Sequence, residues 1–171
     1  MINLQLFAEA VPGNKIVYLF RVLSKAAEKA ATAMAFTTEN ERTKSKEAEA
    51  TATKDGAIRT PGASETEITA TAIISKGDTL PAELEEAMEN DELIEIWEVN
   101  LAEEGEDGKY NGTYYQGYLT EISLSSSAED HAEYSTTFSV NGKGAKGLCT
   151  VTKEQQEVAM YVFKDTAAEG A

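Results

Sequence analysis

The chain has 171 residues, of which 42% are hydrophobic and 26% charged. This length and composition predict one folded domain over residues 1–171 and allow one long segment that projects from its core. Its 30 acidic residues outnumber 15 basic ones, and this net charge of −15 argues against nucleic-acid binding, which requires clustered cations. No apolar run approaches the length of a membrane span, and the first ten residues lack the pattern of a secretory signal.

The first predicted element is a buried β-strand over residues 15–23, an apolar run rich in β-branched and aromatic side chains. Its length suits a strand that is covered on both faces. The alanine-rich residues 24–33 that follow are compatible with either a helix or a loop.

Residues 37–54 alternate with the period of a strand but contain almost no large apolar side chain. Such a segment cannot anchor itself in a core, so it is a protruding hairpin arm, an edge strand covered by another subunit, or a flexible loop. We expect an arm or loop over about residues 37–62, with turn signals at Asp55-Gly56 and Pro61-Gly62. The candidate contacts between subunits are Arg42, Lys44, Lys46, Glu47, Glu49 and Lys54.

Charge is distributed unevenly along the chain. Between Arg42 and Arg59 basic residues predominate, whereas residues 78–107 contain acidic residues and neither Lys nor Arg. An acidic run is most often a solvated face. The asymmetry also allows the basic segment of one copy to meet the acidic surface of another copy.

Residues 65–74 predict a half-buried strand, because polar side chains alternate with Ile68, Ala70, Ala72 and Ile74. A short helix is predicted over residues 81–90, where Pro81 suits the first turn. Its apolar stripe is formed by Leu80, Leu84 and Met88. A helix this short is stable only when such a stripe packs against a sheet.

Three further strands are predicted over residues 92–101, 109–124 and 133–140, a region that holds most of the large aromatic residues. The glycine-rich residues 141–147 lack the spacing of a phosphate-binding loop and are interpreted as a flexible hairpin turn. Near the C-terminus, Thr152 could begin a helix, but residues 158–164 favour a last strand.

No pattern in the sequence predicts catalytic, metal-binding or cofactor-binding residues. His131 is the only histidine, and metal sites need several ligands at defined spacing. Cys149 has no partner for an internal disulfide, which favours folding in a reducing cytoplasm, and no motif around it indicates a nucleophile. We therefore expect a protein that is not an enzyme and needs no cofactor.

The order of these elements resembles the major tail protein, or tail tube protein, of bacteriophages with long non-contractile tails. The similarity covers about residues 15–147. Its strongest features, in chain order, are the turn K-D-G, the strand W-E-V, the strand Q-G-Y and the hairpin T-F-x-V-N-G.

This resemblance implies a mainly β fold, a β-sandwich or partial barrel with one short flanking α-helix and an extended polar arm. It also implies six copies in a ring, and rings stacked into a tube through which DNA passes without specific binding. The implied partners are further copies and the tape-measure, tail-terminator and baseplate proteins, with no membrane. The tail would assemble in the host bacterial cytoplasm and remain in the virion, and a tail-like bacteriocin would use the same subunit.

A second interpretation is a β-sandwich adhesion or carbohydrate-binding module of a phage or bacterial surface. Its sugar platform would consist of Trp97, Tyr110, Tyr114, Tyr115 and Tyr118. Aromatic residues that alternate in strands are more often packed in the core or across strands, which favours the tail tube.

Overall fold

The computed structural model describes residues 8–153 and residue 155. Within these residues, six antiparallel strands form one sheet in the order β1-β4-β5-β6-β3-β2. The strands are β1 (Ile16–Val22), β2 (Thr37–Thr53), β3 (Gly56–Ile73), β4 (Ile94–Glu104), β5 (Tyr110–Ser125) and β6 (Glu133–Cys149). An α-helix, α1 (Leu80–Glu89), connects β3 to β4.

The sheet curls, so that strands far apart in its order meet across an inner face. Phe20 on β1 stacks on Phe138 of β6, with ring centroids 5.0 Å apart. Arg42 on the edge strand β2 likewise reaches Glu98 on β4, next to the opposite edge. The result is a partial barrel, which confirms the predicted mainly β fold. Its main core includes Met34, Ile68, Leu84, Ile94, Ile96 and Tyr115.

Helix α1 packs against β1 and β5 and begins one residue earlier than predicted. Its buried side chains include Leu80 and Leu84, while Met88 is half-buried. The Asp78 carboxylate accepts the backbone N–H of Leu80 at 3.1 Å and that of Ala35 at 2.9 Å. This satisfies a free donor of the first turn and joins the helix to the segment before β2. The flanking helix is therefore confirmed.

Both faces of β1 are buried, which accounts for its nearly continuous apolar sequence. On the outer face, Val17 and Leu19 pack with Val99 and Val151 in a second, smaller core. The residues between β1 and β2 contain a short 3-10 turn, Leu23–Lys25, followed by irregular chain. Of the two alternatives for residues 24–33, the structure has the loop.

The glycine-rich residues 141–147 are not a turn, so that interpretation was wrong. Strand β6 continues to Cys149 and pairs with β5 along this stretch, with a bulge opposite Tyr115. The reason is a close approach of the backbone to a ring, since a Cβ on Gly144 would lie 2.5 Å from Tyr115 Cε1. Glycine permits both this approach and the positive φ of 78°.

Two other predictions at strand ends have clear outcomes. Ile74 was expected to face inward, but β3 ends at Ile73 and Ile74 is 39% exposed, so that prediction was wrong. After β6, the backbone N–H of Gln155 donates to Thr152 Oγ1 at 3.2 Å, and Thr152 N–H donates to Gln155 Oε1 at 2.8 Å. This reciprocal cap begins a helical turn. The strand expected over residues 158–164 lies outside the described residues.

Candidate assembly surfaces

The predicted arm is the outer part of the long β2–β3 hairpin. From Thr66 to Ala72, β3 pairs with both β2 and β6. Before Thr66, within the described part of the chain, β3 pairs with β2 alone. Residues 46–62, here called the distal ribbon, are therefore a two-stranded hairpin, and nearly all of them are exposed. A two-stranded ribbon is at best marginally stable in water, so it gains from a surface to pack against.

The base of the arm is attached to its own subunit. Arg42 donates to Glu98 from Nε to Oε2 at 2.6 Å and from Nη2 to Oε1 at 3.2 Å. The hydroxyl of Tyr18 on β1 donates to the same Oε2 at 2.5 Å. Lys44 Nζ lies 5.6 Å from the centroid of the buried Tyr115 ring and donates to the carbonyl of Lys143 at 3.3 Å. Two of the six predicted contact residues thus bind the body from which they project.

Protonation keeps this attachment intact. The hydrogen bond to Glu98 raises the pKa of Arg42 above its ordinary value. Burial, followed by the hydrogen bond to Glu98, raises the pKa of Tyr18. Both groups therefore remain donors at neutral pH, so Glu98 joins β1, β2 and β4 at one point of the barrel.

The other four predicted contact residues are Lys46, Glu47, Glu49 and Lys54, and all are exposed on or beside the distal ribbon. In the described residues, their side chains make no hydrogen bond or ion pair. One face of the ribbon carries Ala48, Ala50, Ala52 and Ala57, together with the long charged side chain of Arg59. The other face carries Glu49, Thr51, Ile58 and Thr60.

A polar face extends over the outside of β2, β3, β6 and β5. Register places Glu41, Thr69, Thr137 and Glu121 in one row across the four strands, and the neighbouring rows have similar side chains. We call this surface the acid–hydroxyl face, because its positions carry acids, hydroxyls and a single tyrosine, with neither Lys nor Arg. They are Glu39, Glu41, Thr43, Ser45, Glu65, Glu67, Thr69, Thr71, Tyr118, Glu121, Ser123, Ser135, Thr137 and Ser139.

Within the described part of the chain, the outer edges of β1 and β2 have no neighbouring strand. Between β1 and β2 lies a groove of about 570 Å³, whose lining includes Tyr18, Thr38 and Asn40. The side-chain Oδ1 of Asn40 is buried and has no hydrogen-bond partner among the described residues. Among the residues that the structure describes, the outer edge of β1 is bridged only where Phe20 meets Thr32.

The aromatic residues of the alternative sugar platform lie on different surfaces. Tyr115 is buried on the inner face, whereas Trp97 and Tyr114 pack on the outer face with ring centroids 5.1 Å apart. Tyr114 also donates to the buried Glu95 at 2.8 Å, as part of a structural network. Tyr118 is exposed on the acid–hydroxyl face, so these side chains do not form one platform.

The described residues contain no group of three or more His, Cys, Asp or Glu placed to hold a metal ion. Cys149 is half-buried, and burial raises the pKa of its thiol, which disfavours the reactive thiolate. None of the helices in the described part of the chain is both long and apolar enough to span a membrane.

Comparison with known proteins connects this architecture to phage tails. The family model described as phage tail tube protein matches residues 10–146. A protein of Staphylococcus phage phiMR25, described as "Putative tail protein", is 33% identical over 166 residues, covering 92% of this chain and 84% of that protein.

Solved structures show the same fold. The subunit of the SPP1 tail tube matches with a TM-score of 0.73 and 22% identity, over 94% of this chain and 96% of that one. A subunit in the tail of an empty gene transfer agent particle, described with C6 symmetry, matches with a TM-score of 0.61 and 14% identity, over 82% and 100% of the two chains. The resemblance noted in the sequence is thereby confirmed, and the chain belongs to the phage tail tube protein family.

Proposed function

We propose that this protein assembles into a tail tube in which six copies close into a ring and successive rings stack. The observation that carries the proposal is the distal ribbon, a two-stranded hairpin that projects from the body with both faces exposed. A second copy of the chain would supply the surface that this ribbon lacks. The C6 symmetry described for the gene transfer agent tail supports six copies per ring.

The open sheet edges support lateral closure. Exposed strand edges favour uncontrolled pairing, and a closed ring of identical copies removes them just as barrel closure does. In the groove between β1 and β2, the Oδ1 of Asn40 has no partner among the described residues, and a neighbouring copy would add hydrogen-bond partners there.

The acid–hydroxyl face supports a conduit for DNA. Facing the lumen, its glutamates would repel phosphates, and its hydroxyl groups would offer no fixed positive charge to retain them. Six copies with a net charge of −15 each give about −90 per ring before counter-ions. DNA would therefore pass through the tube without specific binding.

The role proposed here is structural rather than enzymatic. The subunit would assemble in the host bacterial cytoplasm and remain in the tail of the virion. Its partners would be other copies along the tube, the tape-measure protein inside it, and the terminator and baseplate proteins at its two ends. A phage-derived, tail-like bacteriocin would use the same surfaces.

The decisive experiment is electron microscopy of the purified protein at high concentration, alone and with tail assembly partners. We expect rings or tubes from the intact chain. A variant in which residues 47–63 are replaced by a two-residue Asn-Gly turn, joining the paired Lys46 and Ser64, should keep the circular dichroism spectrum of a folded sheet but form no tubes. Persistent monomers of the intact protein in both settings would contradict the proposal.

A further inference from the structure

The four strands that carry the acid–hydroxyl face end in two free edges. On one side, β2 has no neighbour other than β3 among the described strands. On the other side, β4 pairs with β5 only as far as Gly117. In the described part of the chain, residues 118–125 of β5 therefore pair with β6 alone. We call these two free stretches the β2 edge and the β5 edge.

Both edges carry carboxylates that point to the acid–hydroxyl face. Register aligns Glu41, Thr69, Thr137 and Glu121 in one row across the four strands, with the acids at its two ends and hydroxyl groups between them. Glu39 begins the neighbouring row on β2. The side chains of all three acids are exposed, and within the described residues none of them forms an ion pair.

Ring closure brings these carboxylates together. If the acid–hydroxyl face lines the lumen, the β2 edge of one copy meets the β5 edge of the next, because the face ends at these two edges. Acids then stand on both sides of each junction. Like charges directly opposite on neighbouring strands destabilise their pairing. Neighbouring strands lie about 4.8 Å apart, within the screening length of about 10 Å at 0.1 M salt, so the repulsion is felt at moderate salt.

We infer that Glu39 and Glu41 of one copy and Glu121 of the next repel one another across the junction and so oppose ring closure. The repulsion keeps free subunits apart when cations are scarce, and counter-ions that gather at the junction permit closure. Acids on exposed edges also limit uncontrolled pairing of one edge with another. This inference rests on the proposed tube function and adds to it a control over when the ring closes.

Charge reversal tests the inference directly. Three proteins are compared with the wild type at about 20 mM salt, where screening is weak: Glu121→Lys, Glu39→Lys with Glu41→Lys, and all three substitutions together. The first two proteins place cations opposite acids and should lower the critical concentration for tube formation about ten-fold or more. The third places cations opposite cations, so its critical concentration should return to within about three-fold of the wild type. Sedimentation and electron microscopy measure the assembled fraction.

This order separates repulsion at the junction from a general effect of net charge. A general effect predicts that the triple variant assembles best, because it removes the most negative charge. Glu85→Lys with Glu86→Lys is the control, since these residues are exposed on α1, which packs against the inner face of the sheet. The control should shift the critical concentration by less than about three-fold. Salt of about 500 mM should bring all variants close to the wild type.

The inference is overturned if the triple variant assembles better than both partial variants, or if all of them keep the critical concentration of the wild type. Tubes form in either case, so the proposed function would stand. Absence of tubes from the wild type and every variant would instead contradict the proposed function itself.

Thermal unfolding of the unassembled proteins checks that each variant folds. A lysine variant that unfolds early is replaced by its glutamine counterpart, which removes the charge and adds no cation. Glu121→Gln should lower the critical concentration, and adding Glu39→Gln and Glu41→Gln should give little further change, because the repulsion is already gone. Equal further gains from the added substitutions would contradict repulsion across the junction.

Discussion

Arg42 and Glu98 lie 56 positions apart in the sequence, yet they form a two-point ion pair between an edge strand and the strand next to the opposite edge. The Glu98 carboxylate also accepts the hydroxyl of Tyr18, so one acid holds three strands. The arm therefore leaves the body from a fixed position, and only its distal ribbon projects freely.

The first prediction concerns this pair. Arg42→Ala should lower the free energy of unfolding by about 1 kcal/mol, because it leaves a mostly buried carboxylate with one donor, while the partial exposure of the arginine screens the loss. Lys46→Ala, four residues further along β2 at an exposed position, is the matched control and should change stability by less than about 0.5 kcal/mol. Urea unfolding measures the stability of both variants, and their midpoints can be compared directly if the m-value is unchanged. Equal midpoints for the two variants would show that the pair contributes nothing.

A second prediction separates two effects of glycine in β6. Gly142 and Gly144 both have positive φ, of 70° and 78°, but only Gly144 faces the Tyr115 ring. Gly142→Ala should cost about 1 kcal/mol from backbone strain alone. Gly144→Ala should cost clearly more, because a Cβ there overlaps the ring.

Gly147→Ala is the control for both variants, since it has ordinary φ and open space around its Cβ position. It should remain within about 0.5 kcal/mol of the wild type. Thermal unfolding of all three variants gives the ranking. A Gly144→Ala protein as stable as Gly147→Ala would contradict the packing described for the bulge.

The third prediction uses the dependence of stability on pH. Burial alone would raise the pKa of Glu83, but the hydrogen bond and charge of Lys29, together with the hydrogen bond of Thr79 and the charge of Lys25, lower it below its ordinary value. A folded-state pKa below the unfolded value adds stability above the unfolded pKa, and this stability is lost as the pH falls through the folded pKa.

Lys29→Met should therefore be less stable than the wild type at pH 7, and the difference should shrink once the pH lies well below 4.5, the ordinary pKa of the carboxyl. Urea unfolding at pH 7 and about pH 3 compares the two proteins. Lys46→Met serves as the control for removing a lysine charge elsewhere. A difference that is constant with pH would show that Lys29 acts through packing rather than through Glu83.

A fourth prediction tests which face lines the lumen. Glu41→Lys combined with Glu67→Lys puts cations on the acid–hydroxyl face, where they would attract phosphates. Phage or tubes carrying this pair should assemble but release DNA more slowly, and added salt should reduce the effect. The control pair, Glu85→Lys with Glu86→Lys, adds the same charge on exposed positions of α1. If the substitutions on α1 slow DNA release as much as those at Glu41 and Glu67, the acid–hydroxyl face does not line the lumen.

Much of the fold was predictable because local patterns determine it. The apolar residues before Val22, the alternation around Ile68 and the proline at the start of α1 each predict the element that forms there. These signals depend on a few neighbouring residues, so they do not require knowledge of the sheet order.

The surfaces that matter for assembly were less accessible to sequence reasoning. Arg42 was recognised as a charged residue of the arm, but its contact with Glu98 depends on the curl of the sheet. The acid–hydroxyl face depends on the register of four strands, and the exposure of Ile74 depends on where β3 ends. No local pattern contains that information.

Strand β6 has a mechanical consequence. Over its first half it is hydrogen-bonded to β3, the strand that continues into the ribbon, and along its length it is bonded to β5 of the body. A pull on the ribbon therefore acts along the strands, perpendicular to their hydrogen bonds, so that all the bonds from Thr66 to Ile73 resist together. Any force that a neighbouring copy applies to the ribbon in the proposed tube would therefore be borne by these strands in shear, which resists separation better than peeling the strands apart one bond at a time.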